Sequence, residues 1–279
     1  MWTIKSGVLH KNGSAVEQIK SGNTGGNFAK TPKIVVMHYT AGSSARSSAE
    51  WFRNPQNKSS SAHVVIERDG TIIQCVDFRK VAWHAGRSRW RDLVGLNQHS
   101  IGIELANFGW LSPAGGQWVT FSGKPIANPF IGRHRNGNPN GSSQPIGWEP
   151  FPDEQFEAAR GLVEALMAEY GIDEIVGHDD IAPVRKSDPG PAFDMTRFRT
   201  CLLDPRREDS DNIGVVTAAN GLNLRTGAGT NFAVIVSLKD KTQLQLLGQD
   251  GNWLEVTSLD KQGNPDKTGW VHKAYVKLP

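Results

Sequence analysis

Two cysteines in 279 residues, Cys75 and Cys201, are too few for a disulfide framework and too far apart for a metal knuckle. Two separate buried thiols are the expectation, because Cys75 stands in a strand-like run and free cysteine packs as a small apolar side chain. Long apolar runs are missing as well. Nothing approaches the roughly 20 residues that span a bilayer, and the opening "MWTIKSGVLHKNG" lacks the apolar centre of a secretory signal. Neither a membrane span nor an export signal is therefore expected. Charge imbalance is small: 31 Lys and Arg against 28 Asp and Glu leave +3. That balance favours a polyanionic partner, cell-wall polymers included, and is too weak to argue for nucleic acid. What is present is a hydrophobic share of 38% beside 21% charged residues, which suits a globular protein with a real core. The length points to one large domain plus one small one, and leaves the oligomeric state open.

The first two hundred residues interleave strand and helix patterns. "IKSGVLHKNGSAVEQIKS" reads as a hairpin turning at Asn12-Gly13, and "KIVVMH" as a buried strand. "SSARSSAEWFRNP" reads as a short helix ended by its proline. "AHVVIERDGTIIQCV" gives two strands about Asp69-Gly70, "VAWHAG" a possible third, and "SIGIELA" another. From Asn107 to about Pro152 the chain is rich in Gly, Pro and Asn with little periodicity, the character of a lid or groove wall. A helix follows, capped by Asp153, with Phe156, Ala159, Val163, Leu166 and Tyr170 at helical spacing and Gly171 as its stop. "EIVGH" is a short strand ending at His178, and "PGPAFDMTRFRTCLL" leads into a helix with Phe198 and Leu202 on one side. The fold class is α/β: a mixed β-sheet flanked by helices over residues 1–203. A charged linker spans 204–214, and residues 215–279 show the short alternating strands of a small all-β barrel.

Candidate chemistry begins at the ends of two strands. His38 closes "KIVVMH" and His178 closes "EIVGH", and in open α/β sheets ligands gather beyond the carboxyl ends of strands. Asp188 follows in "RKSDPGPAF", where prolines and a glycine fix the turn. Two imidazoles and a carboxylate make a suitable zinc set with a fourth position open, and no single-helix or knuckle signature is present to choose between that and two satisfied core histidines. Glu104 sits between apolar neighbours in "IGIELAN", either as an exposed-face residue or as a working carboxylate. Lys186 beside Arg185 is by itself an ordinary solvated lysine.

"IVVMHYTAG", "SAHVVIERDGTI", "VAWHAGRSRW", "NQHSIGIELAN" and "VGHDDIAPVRKSDPGPAF" together resemble the zinc-dependent N-acetylmuramoyl-L-alanine amidases, the group related to phage lysozyme-type amidases and peptidoglycan recognition proteins. The resemblance implies His38, His178 and Asp188 as zinc ligands, Glu104 as the proton carrier and Lys186 as a stabiliser of negative charge. It implies His63, Trp83, His84 and Asn107 as lining of the groove that takes peptidoglycan. Ala62 departs from phage-type members that place a catalytic tyrosine there, which leaves the proton chemistry to Glu104. Tyr39, next to His38, faces the other way by strand alternation and has no part in the expected mechanism. In the tail, "LNLR" with "TGAG", then "GNW" and "GWV", resemble the bacterial SH3-like domain, which implies a wall-anchoring module.

Overall fold

Alternation of apolar side chains builds the larger part of the molecule around one sheet, seen in a computed structural model that describes residues 1–203, 213–260 and 265–278. The chain divides after Leu203 into two compact units. Six strands make the first unit's main sheet: β1 (Glu17–Gln18), β2 (Ile34–Tyr39), β3 (Val64–Ile66), β4 (Ile72–Gln74), β5 (Ser100–Leu105) and β6 (Glu174–Gly177), in the order β6-β2-β5-β3-β4-β1. β6, β2, β5 and β3 run parallel, and β4 folds back antiparallel on β3 about the Asp69-Gly70 turn. Parallel strands with both faces covered read as continuous apolar runs, and β2 is such a run.

Four helices surround the sheet: α1 (Ala45–Arg53), α2 (Asp153–Tyr170), the one-turn α3 (His178–Ile181) and α4 (Met195–Leu203). Val35 and Met37 of β2, with Ile101, Ile103 and Leu105 of β5, meet Phe156, Ala159, Leu162 and Leu166 of α2 and Phe198 and Leu202 of α4. Burying Phe198 and Leu202 contributes about 1.5–3 kcal/mol each. That holds a nine-residue helix too short to stand alone in water. On the opposite face Ile34 and Val36 pack with Val176 and Ile181, and α1 lays Ala45, Ala49 and Phe52 on Val65, Ile73 and Cys75. The period of two therefore sends His38 to the face of Ile34 and Val36, away from α2. Register does the rest. β2 and β5 pair so that Glu104 stands directly beside His38, both on that face.

Several expectations change in detail. The N-terminus is a three-stranded meander, Trp2–Lys5, Val8–Lys11 and Ser14–Ala15, with turns at both Ser6-Gly7 and Asn12-Gly13. Asp153 does not cap α2: Pro152 holds the cap position, and Asp153 with Glu154 supplies negative charge to the first turn instead. The stop at Gly171 has the left-handed conformation that favours glycine. His178 is not the end of β6 but the first residue of α3. Cys75 is buried and Cys201 only half-buried.

The segment 107–152 carries two small hairpins, Ser112–Ala114 with Gln117–Val119 and Phe130–Gly132 with Ile146–Trp148. It is clamped at both flanks. Glu149 accepts from the Phe108 amide at 2.6 Å and pairs with Arg68 at 3.2 Å. His134 Nε2 and Arg135 Nη2 reach the two oxygens of buried Asp179 at 3.0 and 2.7 Å, and Asn136 donates to the Asp179 carbonyl.

The second unit has its own core of Val216, Leu222, Leu224, Leu244, Leu254, Val256, Val271 and Val276. Its strands are β7 (Ile213–Val216), β8 (Leu222–Arg225), β9 (Val234–Leu238), β10 (Gln243–Asp250), β11 (Trp253–Leu259), β12 (Pro265–His272) and β13 (Val276–Lys277). They form one curled antiparallel sheet in the order β9-β8-β12-β11-β10-β7-β13, a half-barrel where a small barrel was expected. Of the linker expected over 204–214, residues 204–212 lie outside the described residues.

Candidate metal centre

Three segments distant in sequence bring one ligand atom each to a single point. His38 Nδ1 from the end of β2, His178 Nδ1 from the start of α3 and Asp188 Oδ2 from the loop after α3 are each 2.9 Å from the other two. All three residues are buried. The Asp188 carbonyl accepts from the Asp179 amide at 2.9 Å, which ties the loop back to the turn that carries His178.

The outer nitrogens decide what faces the centre. His178 Nε2 lies 3.1 Å from the Ala85 carbonyl, which can only accept, so this nitrogen carries a proton and Nδ1 is the atom turned to the centre. His38 Nε2 lies 3.0 Å from His84 Nδ1. Burial, and then the charge of His178, push His38 down to about 4 against the pull of Asp188, so its ring is neutral at physiological pH. Burial would raise Asp188, but its bonds to the two histidines outweigh that and hold the carboxyl well below the usual carboxylate range. A neutral His38 ring and an ionised Asp188 carboxylate, crowded with a second imidazole nitrogen onto one point, form a donor set that a cation between them would satisfy. The arrangement is thus able to bind a metal ion.

A cavity of about 600 Å³ opens over the centre. Besides the three residues, it is lined by Glu104, Lys186, Trp83 and an edge of His84, by Tyr39, and by Ser47, Ser48 and Trp51 of α1. Glu104 Oε2 is sealed from solvent and has no hydrogen-bond partner. Its carboxyl is pushed from the ordinary 4.5 up to about 8, by burial first and the charge of Asp188 second, with Lys186 pulling it down. Between those two values the folded metal-free protein keeps a proton that the unfolded chain has released. This group's contribution to stability is therefore full below 4.5 and is lost as pH rises through about 8. In chelator, Glu104→Gln is expected to melt with the unsubstituted protein near pH 4.5 and above it at pH 8; equal melting temperatures at both values would contradict this placement.

Two expected lining residues lie elsewhere. His63 is fully buried inside the sheet, its Nδ1 accepting from the Gly102 amide at 2.9 Å and its Nε2 donating to the Lys80 carbonyl at 2.9 Å. Asn107 is a buried turn-former, donating to the Glu149 carbonyl and accepting from the Gly109 amide at 2.7 Å. Neither borders the cavity, and nor does any residue of the segment 107–152; α1 makes that wall instead. Trp51, half-exposed beside buried Phe52, was legible as an apolar residue on the wrong face of a short amphipathic helix. Tyr39 also reaches the lining, with its hydroxyl 3.0 Å from Ser187 Oγ next to Asp188. Burial, against that hydrogen bond, raises it to about 12 and keeps it protonated.

Comparison with known proteins matches two families along the chain. Residues 28–191 match the model of the N-acetylmuramoyl-L-alanine amidase family, and residues 220–277 match the bacterial SH3 domain. The chain is 35% identical over 144 residues to the 1,6-anhydro-N-acetylmuramyl-L-alanine amidase AmpD of Enterobacter cloacae, covering 51% of this chain and 57% of that protein. It is 33% identical over 170 residues to the N-acetylmuramoyl-L-alanine amidase AmiD of Escherichia coli (strain K12), covering 58% and 50%. The chain thus spans about half the length of the curated relatives it matches. The crystal structure of a selenomethionine AmpD derivative superposes with a TM-score of 0.50 at 26% identity, covering 71% of this chain and 98% of that one.

Proposed function

Because the chain belongs to the N-acetylmuramoyl-L-alanine amidase family, we propose that residues 1–203 form a zinc-dependent hydrolase. It cuts the amide between the lactyl group of N-acetylmuramic acid and the L-alanine of the stem peptide. Residues 215–279, joined through 204–214, hold the enzyme to peptidoglycan in the cell wall. Among the described residues no helix is long and apolar enough to cross a membrane.

One observation carries the reading: three ligand atoms from separate segments meet in a cavity where a fourth group, Glu104, has an oxygen with nothing to bind. The donor set suits zinc. Two imidazole nitrogens and one carboxylate oxygen are the number and kind of ligands in catalytic zinc sites. Their 2.9 Å separations approach the roughly 3.3 Å edge of a tetrahedron with bonds of about 2 Å. When bound, zinc supplies Lewis acidity that polarises a carbonyl and brings the pKa of water toward about 7. Glu104, whose ionised form a bound cation favours, takes the proton of the attacking water at Oε2 and passes it to the departing alanine amine. Lys186 places its ammonium where the carbonyl oxygen becomes negative. Trp51 and Trp83 give the cavity apolar faces for a pyranose ring or the stem peptide.

Digestion of purified sacculi tests the proposal. New amino termini are expected on L-alanine; termini on another residue would identify a peptidase, and no release would identify a binding protein. Removal of residues 215–279 is expected to slow release from intact sacculi several-fold and leave hydrolysis of soluble muropeptides unchanged. Equal rates on both substrates would remove the anchoring role.

A further inference from the structure

We propose that His84 is a positioning residue: it accepts the Nε2 proton of His38 and so fixes the tautomer that presents a bare Nδ1 to the cation. The inference rests on the reading of His38, His178 and Asp188 as a metal centre and adds a residue that works behind it. It replaces the expectation that His84 contacts substrate.

Proton bookkeeping leads from the interior outward. Two groups face His84 Nε2, the carbonyl of Ser100 and its hydroxyl oxygen, each at 3.4 Å. The hydroxyl has spent its proton on the Leu96 carbonyl at 2.6 Å. Both groups can therefore only accept, and His84 must carry its proton on Nε2. Its Nδ1 is then an acceptor, 3.0 Å from His38 Nε2, which must donate. A neutral His38 with its proton on Nε2 has none on Nδ1, the atom 2.9 Å from both Asp188 and His178. The order Ser100, His84, His38 thus leaves one lone pair pointing at the centre, the task that outer partners of metal-bound histidines perform.

The surroundings hold the His84 ring in that pose. Gly102 lies opposite Val36 in the register of β5 and β2, and a β-carbon at residue 102 would overlap the His84 ring. The backbone amides of His84 and Ala85 both donate to Asn97 Oδ1, at 3.0 and 2.7 Å. That one turn serves both histidines of the centre, since the Ala85 carbonyl is the partner of His178 Nε2. His84 is only 9% exposed, and both its ring nitrogens are engaged, so little of it remains for a substrate.

Two substitutions and one spectrum test the proposal in the full-length protein. His84→Phe keeps a ring without an acceptor; His84→Asn keeps an acceptor, Oδ1, close to the place of Nδ1. Zinc dissociation constants from chelator competition are expected to rise about 10–100-fold for His84→Phe and to stay within about threefold for His84→Asn. At saturating zinc, KM for a soluble muropeptide is expected to be unchanged in both. Nitrogen-15 spectra of the unsubstituted, metal-free protein should show His84 and His38 each protonated at Nε2, a readout that needs no variant to fold. Unchanged zinc affinity in folded His84→Phe, a raised KM with unchanged affinity, or a proton on His84 Nδ1 would each overturn the inference while leaving the metal centre standing. Failure of the unsubstituted protein to bind zinc would overturn both.

Discussion

Glu104→Ala is expected to keep its zinc affinity within about threefold and to lower kcat on soluble muropeptide by about a thousandfold, within the range that proton transfer by a placed side chain contributes. The split between binding and turnover follows from position. Glu104 stands beside His38 in the register of β2 and β5, but it is not one of the three groups whose ligand atoms converge. Nor does its removal weaken the fold. Oε2 has no partner to lose, and the buried carboxyl is itself a cost at neutral pH, so the variant should melt no lower than the unsubstituted protein. Glu104→Gln keeps the shape and is expected to be equally slow, because an amide cannot carry the proton. Single-turnover release of L-alanine termini separates chemistry from product release. Full turnover by either variant would remove Glu104 from the mechanism.

Asp188→Ala is expected to lose both metal and activity. Four ligands in a small structural zinc site provide about 10–16 kcal/mol, so one of them is worth roughly 3 kcal/mol and its loss at least about a hundredfold in affinity. Asp188 is also the only anion in the set, and its Oδ2 lies 2.9 Å from both Nδ1 atoms. Without it two imidazoles face each other with nothing to balance a cation. Competition with a fluorescent chelator measures the affinity, and sacculus digestion at excess zinc measures whether mass action restores turnover. A variant that holds zinc as tightly as the unsubstituted protein would show that Asp188 is no ligand.

Period-two alternation carried much of this site in the sequence. It puts Glu104 opposite Ile103 and Leu105, and only the sheet order turns that far side from solvent into the cavity. What alternation cannot convey is which strand lies next to which. β5 inserts between β2 and β3, so residues 66 apart in the chain, His38 and Glu104, become neighbours. His63 and Asn107 went to the groove by resemblance, but the groups that satisfy them are backbone amides and carbonyls, which leave no trace in residue identity. Tyr39 was set aside on strand geometry that holds within a strand and relaxes at its end, where the ring reaches Ser187. The Gly, Pro and Asn content of 107–152 was legible as irregular chain, whereas the two hairpins within it have three residues per strand, below what periodicity can register.

Asp179 is the residue after His178, and its carboxylate and carbonyl are gripped by His134, Arg135 and Asn136 of the segment 107–152. A shortened variant that replaces this segment by a tight connection would strip three partners from the position adjoining a ligand and leave a buried anion bare. Anyone trimming the enzyme for delivery should therefore neutralise or re-pair residue 179 in the same step, since the excision reaches the metal through the backbone rather than through the cavity wall.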